Sequence, residues 1–243
     1  MQAEVSATAT IPAANVAAVL ALLTERCGSA GIRQRLWERN FKSALPKEKR
    51  GLGEVRVLSD GQGELHELRT VAAERLAIAK MSKARPKPCL EARRVAKVSV
   101  SNGVQHFVAA LGFVQAHEAL RRGHFFRDGN VTVSVFELCR RQGKRDGSTD
   151  LQSSAGSDDQ WMALGDGALW IVELRVSGAG EQLAQTVGVA DLWVDVLSSV
   201  SDLVFEEVIS IAAAQAAEAH KAAIARNLNA NKTATGGPAQ GLR

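Results

Sequence analysis

Nucleophilic catalysis needs an activated Ser or Cys, and the chain offers no Gly-x-Ser-x-Gly elbow; Gly28-Ser29-Ala30-Gly31 has the wrong spacing. Gly51-Leu52-Gly53 and Gly61-Gln62-Gly63 lack the third glycine or the following Lys-Ser/Thr that a phosphate-cradling loop requires, so they read as turns. His66, His106, His117, His124 and His220 show no i, i+4 pairing and no cysteine at ligand spacing, so no metal site is expected. His117 and Glu118 are adjacent. In a strand they face opposite sides and cannot work as a base and its orienting partner. Arg121-Arg122, Arg127, Arg140-Arg141 and Lys144-Arg145 could form a basic rim for nucleic acid, with Phe125 and Phe126 as stacking platforms. Consecutive strand residues cannot both face outward, however, and a chain without Tyr is poorly equipped for stacking.

The elements that would position these residues centre on Ser101 to Arg140. Ser101 or Asn102 can cap a short helix whose apolar positions are Val104, Phe107, Val108 and Leu111, and Gly112 stops it. The period then changes to two. Asp128-Gly129 sits between two long strands as a hairpin signal, and Val131, Val133 and Val135 alternate with Thr132 and Ser134.

Phe107, Leu111-Gly112-Phe113, His117-Glu118, Gly123-His124, Phe126-Arg127, Gly129 and Val135-Phe136 follow in order without a gap. This run resembles subunit 18 of the Mediator head module, whose signature is a helix ending in Gly-aromatic, a His/Tyr-Glu pair, Gly-x-x-Phe-Arg-x-Gly and an alternating strand. Trp170 to Val176 is similar to a later strand of that family. Together the two stretches cover about a fifth of the chain. Ala119 departs from the pattern, as an aromatic usually follows the Glu, and the Ala-rich C-terminus is longer than expected.

The resemblance implies a β-barrel flanked by helices, no cofactor, and a role as a scaffold subunit of the Mediator transcription coactivator in the nucleus. Its partners would be subunit 20 and a helix of subunit 8, with RNA polymerase II engaged indirectly. It also implies an alternative, since that barrel resembles the triphosphate tunnel hydrolases. Those enzymes converge carboxylates from every second strand residue onto a divalent ion. Here Glu4, Ser6 and Thr8 share a face but supply one carboxylate. Glu64 and Glu67 are three apart, and Glu137 and Glu173 stand alone on their strands. The chain is therefore expected not to be an enzyme.

The rest of the sequence agrees with an α+β chain built on an antiparallel barrel with a long C-terminal helix. At 46% hydrophobic residues it can bury a core unaided, and Cys27, Cys89 and Cys139 imply no disulfide framework. No run approaches the ~20 apolar residues of a membrane span, and the N-terminus does not read as a signal peptide, so a soluble intracellular protein is expected. Met1 to Asp146 holds 25 Lys/Arg against 14 Asp/Glu, a charge of +11; Gly147 to Arg243 holds 5 against 12, a charge of −7. Such asymmetry can steer partners of opposite sign to different faces.

Glu4–Ile11 reads as a strand, and Pro12 opens a helix with Val16, Val19, Leu20 and Leu23 as its stripe, ended by Cys27-Gly28. Trp37 and Phe41 share a face in either a helix or a strand. Val55–Leu58, Glu64–Lys80, Val95–Val100 and Ala168–Val176 read as strands, and Arg85-Pro86-Lys87-Pro88 as a break. Gly143 to Gly167 reads as a mobile hairpin loop.

From Glu181 the pattern is helical, with Leu192, Trp193, Val196, Leu197, Val200, Leu203 and Val204 on one side and Asp191, Asp195, Ser199 and Asp202 on the other. A helix from Val189 to Leu228 would span ~60 Å, against a radius of gyration of roughly 18 Å for a compact chain of this length. It must break near Ser198 to Asp202 or extend beyond the body. Residues 1–210 are thus expected as one barrel domain with flanking helices, and 211–243 as an Ala-rich helical extension and disordered tail. Ile211, Ile224 and Leu228 are its candidate protein-interface residues.

Overall fold

The computed structural model describes residues 2–43, 52–60, 66–76, 78, 89–100, 103–141, 161–200 and 203–205. The chain divides into a unit Met1–Glu207 and a unit Val208–Arg243, the latter outside the described residues.

The strands are β1 (Gln2–Pro12), β2 (Ile32–Ser43), β3 (Leu52–Asp60), β4 (His66–Arg75), β5 (Glu91–Val100), β6 (Phe113–Asp128), β7 (Val131–Arg141), β8 (Trp161–Ala163), β9 (Leu169–Gly178) and β10 (Val204–Phe205). The order β1-β5-β4-β3-β2-β6-β7 is closed by β9, which pairs with both β7 and β1. Eight strands thus form a closed barrel, and every pairing among them is antiparallel. β8 and β10 add short outer pairings to β7 and β1. Closure removes the long free edges that an open sheet would expose to other chains.

Three helices cover the outside: α1 (Val16–Cys27), α2 (Val104–Ala110) and α3 (Leu183–Ser198). An eight-stranded barrel has room inside for side chains or one small ligand but not for a helix, so a face that carries helices is the outer one. Val5, Ala7, Val133, Val135, Val172 and Leu174 form that face. They pack with Val19 and Leu23 of α1 and with Val187, Ala190, Val194 and Leu197 of α3. Fully burying each large aliphatic of this layer is worth roughly 1.5–3 kcal/mol. A smaller cluster places Val104 and Val108 of α2 on Phe41, Val55 and Val57.

Several expectations are corrected in detail. Of the four apolar positions on α2, Val104 and Val108 are buried while Phe107 and Leu111 are exposed. The helix is only seven residues long and can turn one face to the barrel. Its N-cap is Gly103; Ser101 and Asn102 lie outside the described residues. On α3 the buried stripe runs through Val187, Ala190, Val194 and Leu197, so Asp191 is buried and Leu192 is 66% exposed, the reverse of the sequence expectation.

The hairpin between β6 and β7 turns one residue later than expected. Asp128 pairs with Val131, leaving Gly129-Asn130 as the loop. Gly129 has φ +58°, the left-handed backbone that a tight two-residue hairpin needs. Trp161–Gly167, expected as loop, forms β8 and a 3-10 turn; 143–160 lie outside the described residues.

Trp37 and Phe41 prove to be strand residues; of the Glu64–Lys80 stretch read as strand, His66–Arg75 forms β4, Leu76 and Ile78 are outside any strand, and 64–65, 77 and 79–80 lie outside the described residues. α3 stops at Ser198, within the region where a break was one of the two alternatives, and Val204, expected on the helical stripe, lies instead in β10, paired with Thr10 of β1. No helix of the described residues is long and apolar enough to cross a membrane.

Candidate functional site: the barrel lumen

Since α1 and α3 take the apolar face of β1, β7 and β9, and α2 that of β3, the opposite, polar face must point inward. Register carries this inward set round the barrel. Thr8 pairs with Glu173, Ser6 with Arg175, Ser134 with Glu173, Gly123 with Phe136, Leu36 with Arg121, Asn40 with Arg56 and Arg56 with Arg69. The lumen is accordingly lined by charge.

Its centre is a connected set of carboxylates and guanidinium groups. Glu173 Oε2 accepts from Arg175 Nη2 at 2.5 Å and from Arg121 Nη1 at 2.6 Å. Arg121 also reaches Glu38, which takes Arg56 Nη1 at 3.4 Å and the Asn40 amide at 3.1 Å. Arg56 donates in turn to Glu54 at 2.8 Å. On the opposite wall Arg69 donates to Glu4, whose other oxygen lies 3.0 Å from Lys97 Nζ. The guanidinium of Arg121 also stacks 4.6 Å above the ring of Phe136.

Burial alone would push the Glu38 carboxyl up. Arg121 and Arg56, with the Asn40 amide, overcome it and hold Glu38 below its usual value near 4.5. Glu173 is held lower still: burial opposes ionisation, and Arg175 and Arg121 win. Arg175 is raised by Glu173 and Glu4 against its own desolvation. Arg69 is pulled down to about 10 by burial and by Arg175, which Glu4 only partly offsets. It is the least compensated cation of the set.

The depressed carboxyls set a pH dependence. Their ionised forms stabilise the fold at any pH above the ordinary carboxyl value near 4.5, and that contribution is lost as pH falls through their lower folded values. Thermal melts taken from pH 7 downward should therefore hold steady to about pH 5 and then fall. A melting temperature unchanged down to pH 3 would contradict the network.

These carboxylates do not make a metal cradle. No group of three or more His, Cys, Asp or Glu able to hold a metal exists among the described residues. Each central carboxylate instead faces an Arg or Lys, and paired cations compete with a metal ion for the same oxygens. Among the described residues, the Nε–H groups of Arg56, Arg69, Arg121 and Arg175 are buried without a hydrogen-bond acceptor. Buried guanidinium donors of this kind suit an anion or ordered water.

The residues of the family-like run fall in three places. Phe107 and Leu111 are exposed on α2, and Gly112 ends that helix at φ +82° before Phe113 packs on the smaller cluster. His117 and Gly123 belong to the lumen face, with His117 Nε2 2.6 Å from Asn40 Nδ2. Glu118 faces outward and accepts from Arg39 Nε at 2.9 Å. His117 and Glu118 thus point to opposite sides of the wall, as their adjacency requires.

Phe126 is buried on the outer face, over Gly31, where a Cβ would sit within 2.7 Å of its ring. Val135 is buried beneath the helices and Phe136 in the lumen. Arg127 is exposed at the hairpin end and donates to the Gly129 carbonyl at 3.3 Å, while Gly129 makes the turn. Ile211, Ile224 and Leu228 lie outside the described residues.

The basic rim considered for nucleic acid does not form as drawn. Arg121 is inside the lumen, and Arg122 Nε donates outward to Glu137 at 2.5 Å. Phe126 is core, and Phe125 is on the lumen face opposite Ser134. Lys144 and Arg145 lie outside the described residues.

Sequence reasoning missed the lumen cations: Glu173 is the one carboxylate of β9, as expected, and it is held there by Arg175 and Arg121. The signal that could have found them is a Glu-x-Arg repeat on four strands: Glu54/Arg56, Glu67/Arg69, Glu91/Arg93 and Glu173/Arg175. Its two-residue spacing puts both charges on one face of a strand.

No family model and no curated protein sequence matches the chain. Solved structures do. A chain of the Schizosaccharomyces pombe Mediator head module superposes at a TM-score of 0.60 and 16% identity, over 84% of this chain and 100% of that one. A Pyrococcus horikoshii protein superposes at 0.50 and 13% identity, over 84% and 93%. A Hippeastrum protein described as having a dominant triphosphatase activity does so at 0.46 and 8%, over 88% and 94%. The expectation that the chain is not an enzyme is corrected by this last likeness, since the same barrel also occurs in a protein with catalytic activity. At these identities the likeness to the Schizosaccharomyces pombe head-module chain and to the Pyrococcus horikoshii protein shows the fold alone.

Proposed function

We propose that the chain is a scaffold subunit of a nuclear transcription coactivator assembly of the Mediator type, in the place of head subunit 18. The observation that carries this reading is the likeness to the Schizosaccharomyces pombe head-module chain along that chain's whole length. The ordered run from Phe107 to Phe136, which resembles that subunit in sequence, adds to it. The partners on this reading are the related subunit 20 and a helix of subunit 8, with RNA polymerase II engaged through the assembly. Residues 1–210 act as the barrel body and 211–243 as an extension, with Ile211, Ile224 and Leu228 meeting a neighbour.

Affinity purification of the full chain from its native source, with identification of the co-purifying chains, tests the reading. Other head subunits are expected; their absence would overturn it. A chain ending at residue 210 should recover less of those subunits and keep a thermal melt within about 2 °C, because every described strand and helix is retained in it. Undiminished recovery would remove the role given to the extension.

A second reading, hydrolysis of a phosphate chain in the lumen, has one observation in its favour: the four buried guanidinium groups with Nε–H unengaged. Incubation with inorganic triphosphate and Mg²⁺ or Mn²⁺ separates the two. Phosphate release by wild type that is lost in Arg69→Gln would establish this second reading.

A further inference from the structure

At one end of the barrel β6 and β7 part. The ladder that joins them ends at Leu120–Cys139, although β6 reaches back to Phe113 and β7 runs on to Arg141. Over Phe113–Ala119 β6 keeps its pairing with β2, and no other strand of the described residues joins it on its second side. That stretch, ~23 Å of strand, presents main-chain N–H and C=O groups along an edge. Register passes from Asn40–His117 to Phe41–Gln115 and skips Ala116, so the edge carries a bulge. A bulge twists an edge away from open-ended stacking and leaves room for one short strand.

The side chains around the gap set the chemistry of that strand. Lys42 is the β2 residue paired with Val114, and Arg140 lies one residue past the last β6–β7 pair, opposite Met162 of β8. Alternation from Asn40 and Phe136 puts both cations on the lumen side of the wall, at its rim. Both are exposed, and among the described residues neither has an ion-pair or hydrogen-bond partner. Val114 and Met162, beside them, are exposed apolar residues. Glu118, the carboxylate of this stretch of β6, points to the other side and is held by Arg39.

We propose that this edge takes up, as an added strand, an extended acidic segment of a partner protein. Main-chain bonds to an edge give such a complex its affinity, and alternate side chains give it selectivity. A carboxylate near each end of the segment comes within reach of the long Lys42 and Arg140 side chains. An apolar residue between them, on the same face, covers Val114 and Met162. A second copy of the chain does not fit, since edge-to-edge pairing would bring Lys42 and Arg140 against their own counterparts. The proposal stands whether or not the chain belongs to a transcription assembly.

The test is a fluorescence polarisation titration of the full chain with the labelled heptapeptide Thr-Glu-Thr-Val-Thr-Glu-Thr, its Thr-Lys-Thr-Val-Thr-Lys-Thr counterpart, and the acidic peptide N-methylated throughout its backbone. The acidic peptide should bind about tenfold tighter or more than the lysine one, because charge reversal replaces attraction by repulsion. N-methylation removes every ladder donor and should abolish binding. Lys42→Glu/Arg140→Glu should reverse the charge preference and leave the thermal melt unchanged, as both positions are exposed. Hydrogen exchange should show new protection within Phe113–Ala119 when the acidic peptide binds. Failure of that peptide to bind, equal binding of the two charge forms, binding that survives N-methylation, or protection confined to other strands would each overturn the proposal. So would amides that are all protected over Phe113–Ala119 in the free chain. The edge would then be filled already, by this chain itself or, where sedimentation gives a dimer, by a second copy.

Discussion

Glu173→Gln is expected to lower the stability of the barrel by about 3–5 kcal/mol. Glu173 accepts from Arg121 and Arg175 and is the carboxylate those two cations share. All three side chains are 13% exposed or less. Removing the negative charge would leave two buried guanidinium groups with Arg69 close enough to add repulsion. The nearest carboxylates in the network, Glu38 and Glu4, are already engaged by Arg56, Arg121, Arg69 and Lys97. For a chain of this size the loss corresponds to a melting temperature lower by on the order of 10 °C. Thermal or urea unfolding measures it. Glu173→Gln/Arg175→Gln should recover part of the loss, because it removes a charge of each sign. A Glu173→Gln melt within about 2 °C of wild type would show that solvent, not the pairing, screens these charges.

Gly123→Ala is expected to be the most damaging single-methyl change in the barrel, costing more than about 3 kcal/mol or preventing folding altogether. A Cβ at this position would meet the Val135 carbonyl oxygen and lie 2.5 Å from Phe136 Cα and 2.7 Å from Phe136 Cβ. The first two are backbone atoms of the paired strand and cannot swing aside. Relief would require β6 and β7 to separate where they carry Arg121 and Phe136 into the lumen. Gly188→Ala on α3 is the matched control. It has open space around the added methyl, so it should be neutral or stabilising by up to about 1 kcal/mol through helix propensity. Circular dichroism melts of the two variants separate steric cost from the general effect of losing a glycine. Equal melts for both would mean the β6–β7 approach is looser than the structure has it.

Much of the fold was readable locally. The switch from helical to twofold spacing at Gly112, the hairpin after Asp128 and the strand over Ala168–Val176 all depend on neighbouring residues, and they appear where the chain's own chemistry puts them. The offsets have equally local causes. A helix of seven residues such as α2 commits one face, so two of its four apolar positions remain outside. On α3 apolar residues occur on more than one side, and the sequence pattern does not say which stripe the barrel takes.

The candidate site was not readable in the same way. Period-two alternation in β7 showed that Val131, Val133 and Val135 share one face and Thr132 and Ser134 the other. It could not say which face is the inside. A sandwich would have put the valines in the centre. Here closure of eight strands leaves a lumen too narrow for helices, so the apolar face turns outward to meet α1 and α3 and the polar face is enclosed.

By itself, then, the sequence determined most of the barrel strands and the residues that share each strand face, while β2 stayed open between helix and strand and β8 read as loop. Only the tertiary structure decided that the charged face is the buried one, and that Arg121 reaches Glu173 across 52 positions of chain. Face sharing follows from the geometry of one strand, whereas the choice of partner follows from the stagger between strands, which no single segment encodes.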